Sequence, residues 1–193
     1  MAYITLEDLR GHLDIDLTSD NPLLQEAIED AQQYIDSQTN RHFEAETKTK
    51  YFDSTDRDRD NSYLLNLFHD DLLTVTTLTN GDSSATTIAS TYYTLVPRNE
   101  GPPYHGILLK TDSGYYWEWD TDYWVSIAGT WGYSTTVPDD IRRATAILAA
   151  YFYRQKDAQM FETTAIVESG AIAIPQGIPA TVDRIIERYK RYV

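Results

Sequence analysis

The chain has 193 residues, a net charge of −14 and no cysteine, with a pI near 4.5. That length supports one substantial core and is marginal for two. The missing cysteines exclude disulfides, thiolate catalysis and cysteine-based zinc sites, and the acidity argues against tight binding to nucleic-acid phosphates.

A hydrophobic fraction of 41% with 12% aromatics belongs to a folded protein rather than a disordered one. The N-terminal stretch MAYITLEDLRGHL lacks the basic-then-apolar order of a signal peptide. No apolar run reaches the roughly 20 residues that span a bilayer. These features predict a soluble protein made in a cytoplasm. Charge is uneven along the chain. Residues 1–140 hold eight basic and twenty-five acidic side chains, −17, whereas residues 141–193 hold eight and five, +3. A basic C-terminal end on an acidic body predicts a directional protein contact, set against the simpler alternative of a solvated face.

Thr5 followed by Leu6, Leu9 and Leu13 predicts a first helix of about two turns, with Asp8 placed to complete a capping box. The loop LTSDNP then leads to a second helix, with Asp20 or Asn21 as cap and Pro22 in the first turn. Leu24, Ala27, Ile28, Ala31 and Ile35 form its apolar stripe, running to about Ser37. Past Asn40 the period shortens toward two. TKTKYF, YLLNLF, LLTVTTLT, YYTLVP, GILLK, YYWEW and YWVSIAGTW are short, β-branched and aromatic, each fenced by turn residues. They predict an antiparallel module of six or seven strands over residues 44–133, with Asn80-Gly81-Asp82 as a hairpin tip.

After Pro138 the helical period returns. Ile141, Ala144, Leu148 and Phe152 share one stripe, and Asp139 and Asp140 occupy the first turn, where the helix dipole favours acids. Ala144, Ala146, Ala149 and Ala150 would admit a close neighbour, either within the core or on another subunit. TTAIVESGAIAIPQGIP is broken by Gly and Pro and suggests an arm. A last helix starting near Pro179 carries Val182, Ile185, Ile186, Tyr189 and Val193 along one face. A helix this short needs something to bury that face, either its own core or a partner's groove.

Sites for chemistry are hard to find. The phosphate-binding glycine loops, the GxSxG elbow and the HExxH zinc motif are all missing. His12, His42, His69 and His105 lack metal-ligand spacing. In DSTDRDRDN, Asp56, Asp58 and Asp60 imitate the first positions of a calcium loop. Asn61 then stands where its glycine should be, and Leu67 where its bidentate Glu should be. The expectation is therefore no metal and no cofactor. The aromatics Tyr115, Tyr116, Trp117, Trp119, Tyr123, Trp124 and Trp131, interleaved with Glu118, Asp120 and Asp122, suit either cross-strand packing or a carbohydrate- or surface-binding face.

Four segments resemble the head-tail connector (adaptor, or head-completion) proteins of tailed bacteriophages. They are ITLEDLRGHLDID, NPLLQEAIEDAQQYIDSQTNR, VPDDIRRATAILAAYFYRQKD and IPQGIPATVDRIIERYKRY. The GY…VPDDI joint and the closing P.GIP..V..II..Y.R are the most specific. The resemblance implies a small helical bundle; with the strands and arm read above, the expected fold is α+β, a bundle from both chain ends with an inserted antiparallel β module and a C-terminal helical arm. Its expected domains are a connector core at 1–43 and 138–162, an insert at 44–137, and an arm with helix at 163–193. It further implies a non-enzymatic virion protein forming a homo-oligomeric ring, commonly twelve-fold, between the portal protein and a stopper or tail-completion protein. DNA would cross the lumen without specific binding. Portal contacts would fall on Val182, Arg184, Ile185, Ile186, Arg188, Tyr189 and Arg191, and the ring or core helix would use Ile141, Ala144, Leu148, Ala149 and Phe152. The shortest family members lack the β insert.

Overall fold

The computed structural model describes residues 2–15, 18–158 and 177–191. Among them, two helices, six strands and two further helices follow in chain order, so the protein is α+β. The chain divides into two compact units, Met1–Asn40 with Pro138–Arg191, and Arg41–Val137.

The helical unit begins with α1, Leu6–Leu13. Its start is the capping box expected from sequence: the Thr5 hydroxyl accepts from the Asp8 N–H at 3.0 Å, and the Asp8 carboxylate accepts from the Thr5 N–H at 2.9 Å. Helix α2, Asn21–Thr39, has Pro22 in its first turn and buries Leu24, Ala27, Ile28, Ala31 and Ile35. It stops at Asn40, whose left-handed φ of 52° an asparagine tolerates better than most residues. Helix α3 spans Asp139–Ala158. Helix α4, Ala180–Tyr189, packs on α2 and α3. The segment read as an arm lies, for residues 159–176, outside the described residues.

The second unit holds two three-stranded antiparallel sheets. In the first, β6 (Val125–Trp131) lies between β1 (Glu46–Phe52) and β3 (Leu72–Thr79). In the second, β5 (Gly106–Leu109) lies between β2 (Leu64–Asn66) and β4 (Tyr93–Val96). Strand β6 alternates without a break, burying Val125, Ile127, Gly129 and Trp131, as a strand with one face on a core must. Gly129 is there because a Cβ would sit 2.0 Å from the Thr74 carbonyl oxygen on β3. Strand β1 is an edge and is largely exposed; Lys48 and Lys50 on it discourage further strand addition.

One expectation is corrected and another is met in shortened form. YYWEW forms no strand: the side chain of Asn80 takes the place of a neighbouring strand, donating to the Tyr116 carbonyl at 2.9 Å and accepting from the Glu118 N–H at 3.2 Å. At the Asn80-Gly81-Asp82 tip the chain does reverse, with Asn80 N–H on the Thr86 carbonyl and Thr79 bridged to Thr87. The returning segment stays too short for a strand, and β3 takes β6 as its partner instead.

Candidate functional site

The sequence pointed to four places: the last helix, the alanine-rich helix, the aspartate run and the aromatic loops. In α4 the apolar stripe is divided. Val182 and Ile186 are buried against the protein's own helices, Ile185 and Tyr189 are half-buried, and Arg184 and Arg188 are exposed. Val182 and Ile186, expected on a stripe facing a partner, are covered here by the chain's own helices. Beyond the helix, the Arg191 N–H donates to the Thr39 carbonyl at 2.8 Å, capping an otherwise open carbonyl at the end of α2. Arg188 pairs with Asp140 at 2.9 Å.

On α3, Ile141, Ala144, Leu148 and Ala149 are buried inside the helical unit, so these four are covered by the chain itself. Phe152 is half-buried and meets Tyr34 edge-on, with ring centroids 6.4 Å apart. Asp139 and Asp140 lie in the first turn of α3, where the helix dipole accounts for them without any acid–base role.

The aspartate run folds on itself. Asp53 and Asp56 form a second capping box around the short turn Ser54–Asp56. Hydrogen bonds from Thr55 hold the Asp53 carboxyl below its ordinary value, whereas burial pushes that of Asp56 up. Asp58 accepts from the Asn66 amide at 3.1 Å and from the N–H groups of Asp60 and Asn61 at 3.0 and 2.8 Å, which lowers its pKa. Its oxygens are thus spent on the loop. Among the described residues, no group of three or more His, Cys, Asp or Glu side chains is arranged to hold a metal ion.

Three of the four tryptophans point inward and are pinned by their indole N–H groups. Trp117 donates to the Tyr63 carbonyl at 2.8 Å, Trp119 to Phe52 at 2.9 Å and Trp131 to Lys48 at 3.0 Å. They fasten one part of the β unit to another and offer no stacking platform. Trp124 is different. With Tyr123 and Tyr51 it borders an open groove of ≈ 720 Å³, together with Asp53, Asp56 and Asp122. Sequence reading grouped Tyr123 and Trp124 with the other aromatics and passed over Tyr51. The missing signal is strand register: pairing of Tyr51 with Ser126 brings β1 alongside the start of β6, where Tyr123 and Trp124 lead in.

A family model described as head completion protein matches residues 2–192. None of the curated proteins matches the chain. Among solved structures, the fold is similar to a chain in the neck of an empty GTA particle computed with C6 symmetry, at 20% identity and TM-score 0.64, covering 99% of this chain and 91% of that one. A chain in the virion of a native gene transfer agent (GTA) particle gives 20% identity, TM-score 0.65 and the same coverage. One in the neck of a native GTA particle computed with C12 symmetry gives 22%, 0.58, 97% and 88%.

Proposed function

This chain belongs to the head completion protein family, and from that premise we propose that it is a structural, non-enzymatic connector at the head-tail interface of a phage-like particle. The observation that carries this is the family match across nearly the whole chain, residues 2–192, insert included. The likeness of fold to chains from GTA necks supports the same location in the virion. On this reading several copies close into a ring, twelve in number, beneath the portal protein. The far side of the ring receives a stopper or tail-completion protein. Ring closure needs two different complementary faces on each copy, because head-to-tail contacts close only if the rotation does. A chain of net charge −14 suits a lumen that DNA crosses without sticking.

The portal contact is redistributed from the expected stripe. With Val182 and Ile186 committed to the helical unit, portal docking falls to the outward side of α4: Arg184 and Arg188, with Ile185, Tyr189 and Arg191 half-covered beside them. Exposed arginines meeting an acidic surface contribute more to encounter rate and orientation than to affinity.

Negative-stain microscopy of the purified chain mixed with portal protein tests the connector. Rings or decorated portals support it; free chain beside bare portals at micromolar concentration rejects it. Arg184→Glu should weaken decoration while leaving the melting temperature unchanged. If Arg184→Glu decorates normally, α4 is not the portal contact.

A further inference from the structure

The aromatic groove on the β unit remains unassigned by the connector reading, and the following inference stands independently of it. Tyr51, Tyr123 and Trp124 are 69%, 42% and 53% exposed. Three large rings left in water around one groove, rimmed by polar groups, mark an interaction site more often than scattered surface apolars do.

The groove is built in advance. Its far wall is the loop entering β6, and that loop is fastened to the tip after β3. The Asp120 N–H donates to the Gly81 carbonyl at 2.8 Å, and the Asp120 carboxylate accepts from the Ser83 N–H at 2.5 Å. Approach is so close that a Cβ on Gly81 would lie 2.3 Å from the Glu118 carbonyl oxygen and 3.1 Å from the Trp124 carbonyl carbon. Strand pairing of Tyr51 and Phe52 with Ser126 and Val125 fixes the near wall. A surface held this way loses little entropy when a partner is seated.

Its chemistry is one-sided. Asp53, Asp56 and Asp122 contribute carboxylates, and none of the described lining residues is basic. Elsewhere in the same unit the protein covers comparable rings with its own cations. Lys50 lies 4.8 Å from the Trp131 ring centre, Arg41 lies 5.2 Å from that of Tyr133, and Arg57 lies 5.9 Å from that of Trp119. Among the described residues no cation covers Tyr51, Tyr123 or Trp124. Burial pushes the Asp56 carboxyl up, with the nearby Asp53 and Asp70 charges adding to the rise and the Asp53 N–H and His69 opposing it.

We propose that this groove is a docking site for a Lys- or Arg-bearing segment of a partner protein, whose cations stack on Trp124 and Tyr123 and pair with Asp53 and Asp122. Arginine fits best, since its planar guanidinium stacks on a ring while its edge bonds a carboxylate.

The test uses the whole chain, ¹⁵N-labelled, titrated with acetyl-Gly-Arg-Gly-Arg-Gly-amide and with the same peptide carrying citrulline for arginine. The arginine peptide should shift the Trp124 indole signal and leave those of Trp117, Trp119 and Trp131 in place, while the citrulline peptide should bind at least roughly fivefold more weakly. Trp124→Ala and the shape-preserving Asp122→Asn should each reduce arginine-peptide affinity by roughly threefold or more. Asp112→Asn, a charge removed away from the groove lining, should not. Equal binding of the two peptides, an unmoved Trp124 signal, or equal losses from Asp112→Asn and Asp122→Asn would overturn the proposal. So would saturable binding of chitohexaose or maltoheptaose at Trp124 without arginine-peptide binding, which would assign the groove to glycan.

Discussion

Arg41 grips Asp71 through its Nη1, which donates to both carboxylate oxygens, at 2.7 and 2.9 Å. The Asp71 side chain is only 3% exposed and that of Arg41 15%, so the pair is largely out of water. Arg41 also lies over the Tyr133 ring, and the Asp71 carbonyl accepts from the Gly132 N–H at 2.8 Å. One ion pair thus joins the first residue of the β unit to the lead-in of β3 and the exit of β6.

Removing Arg41 takes the guanidinium from a buried carboxylate that also has His105 Nδ1 at 3.5 Å, and such a loss costs more than the intact pair contributes. Arg41→Ala should destabilise the protein by about 3 kcal/mol, and the double variant Arg41→Met/Asp71→Leu by less than either single change. Urea unfolding of the three variants provides the comparison. Equal losses in all three would mean that packing, not charge, is what these residues contribute.

Helix α4 is part of the helical unit's core. Val182→Ala should cost about 1–2 kcal/mol and Ile186→Ala about 2–4 kcal/mol, the usual range for emptying a buried site. Removing residues 179–193 should lower the thermal midpoint markedly instead of leaving an intact body without its docking helix. A truncated chain melting like the full one, followed by circular dichroism, would return α4 to the role of a detachable arm.

The start of α1 carries a pH signature. Hydrogen bonds from Thr5, with help from Arg142, hold the Asp8 carboxyl below its ordinary value. A carboxyl whose pKa is lower folded than unfolded stabilises above its unfolded pKa, and the stabilisation fades as pH falls through the folded one. Stability assigned to Asp8 should therefore be complete at neutral pH and shrink below about pH 4. Melting curves of the parent and Asp8→Asn chains should converge toward pH 2. Thr5→Ala should cost about 1 kcal/mol at neutral pH.

Gly81 has no room for a side chain against Glu118 and Trp124. Gly81→Ala should push the 117–124 loop off the β3 tip, costing about 1–3 kcal/mol and broadening the Trp124 indole signal. A sharp, unmoved signal would show that the backbone there yields without cost.

The elements with local causes were legible in the sequence. Thr5 and Asp8 specify their helix start within four residues, the stripe of α2 repeats at helical spacing, and LLTVTTLT gives the bounds of β3 directly. What was not legible depends on partners far along the chain. YYWEW has strand composition, yet Asn80 takes its hydrogen bonds from thirty-six residues away. The stripe of α4 has the periodicity of a free amphipathic helix and of a core helix alike, and only its packing on α2 and α3 tells them apart. The groove was hidden for the same reason: Tyr51 meets Tyr123 and Trp124 through a register that neither segment encodes alone.

The position of β6 in its sheet also dictates when the protein can mature during synthesis. It is the central strand, paired with β1 and β3 on its two sides, yet it is the last of the three to leave the ribosome. Until residue 131 has emerged, β1 and β3 have no shared partner, and α3 and α4, which cover the waiting α2, come later still. Both units therefore complete late and close together in time, a topology of long-range closures that folds slowly. Ribosome-stalled chains ending near residue 120 should be digested rapidly by protease, and those extended past α4 should resist.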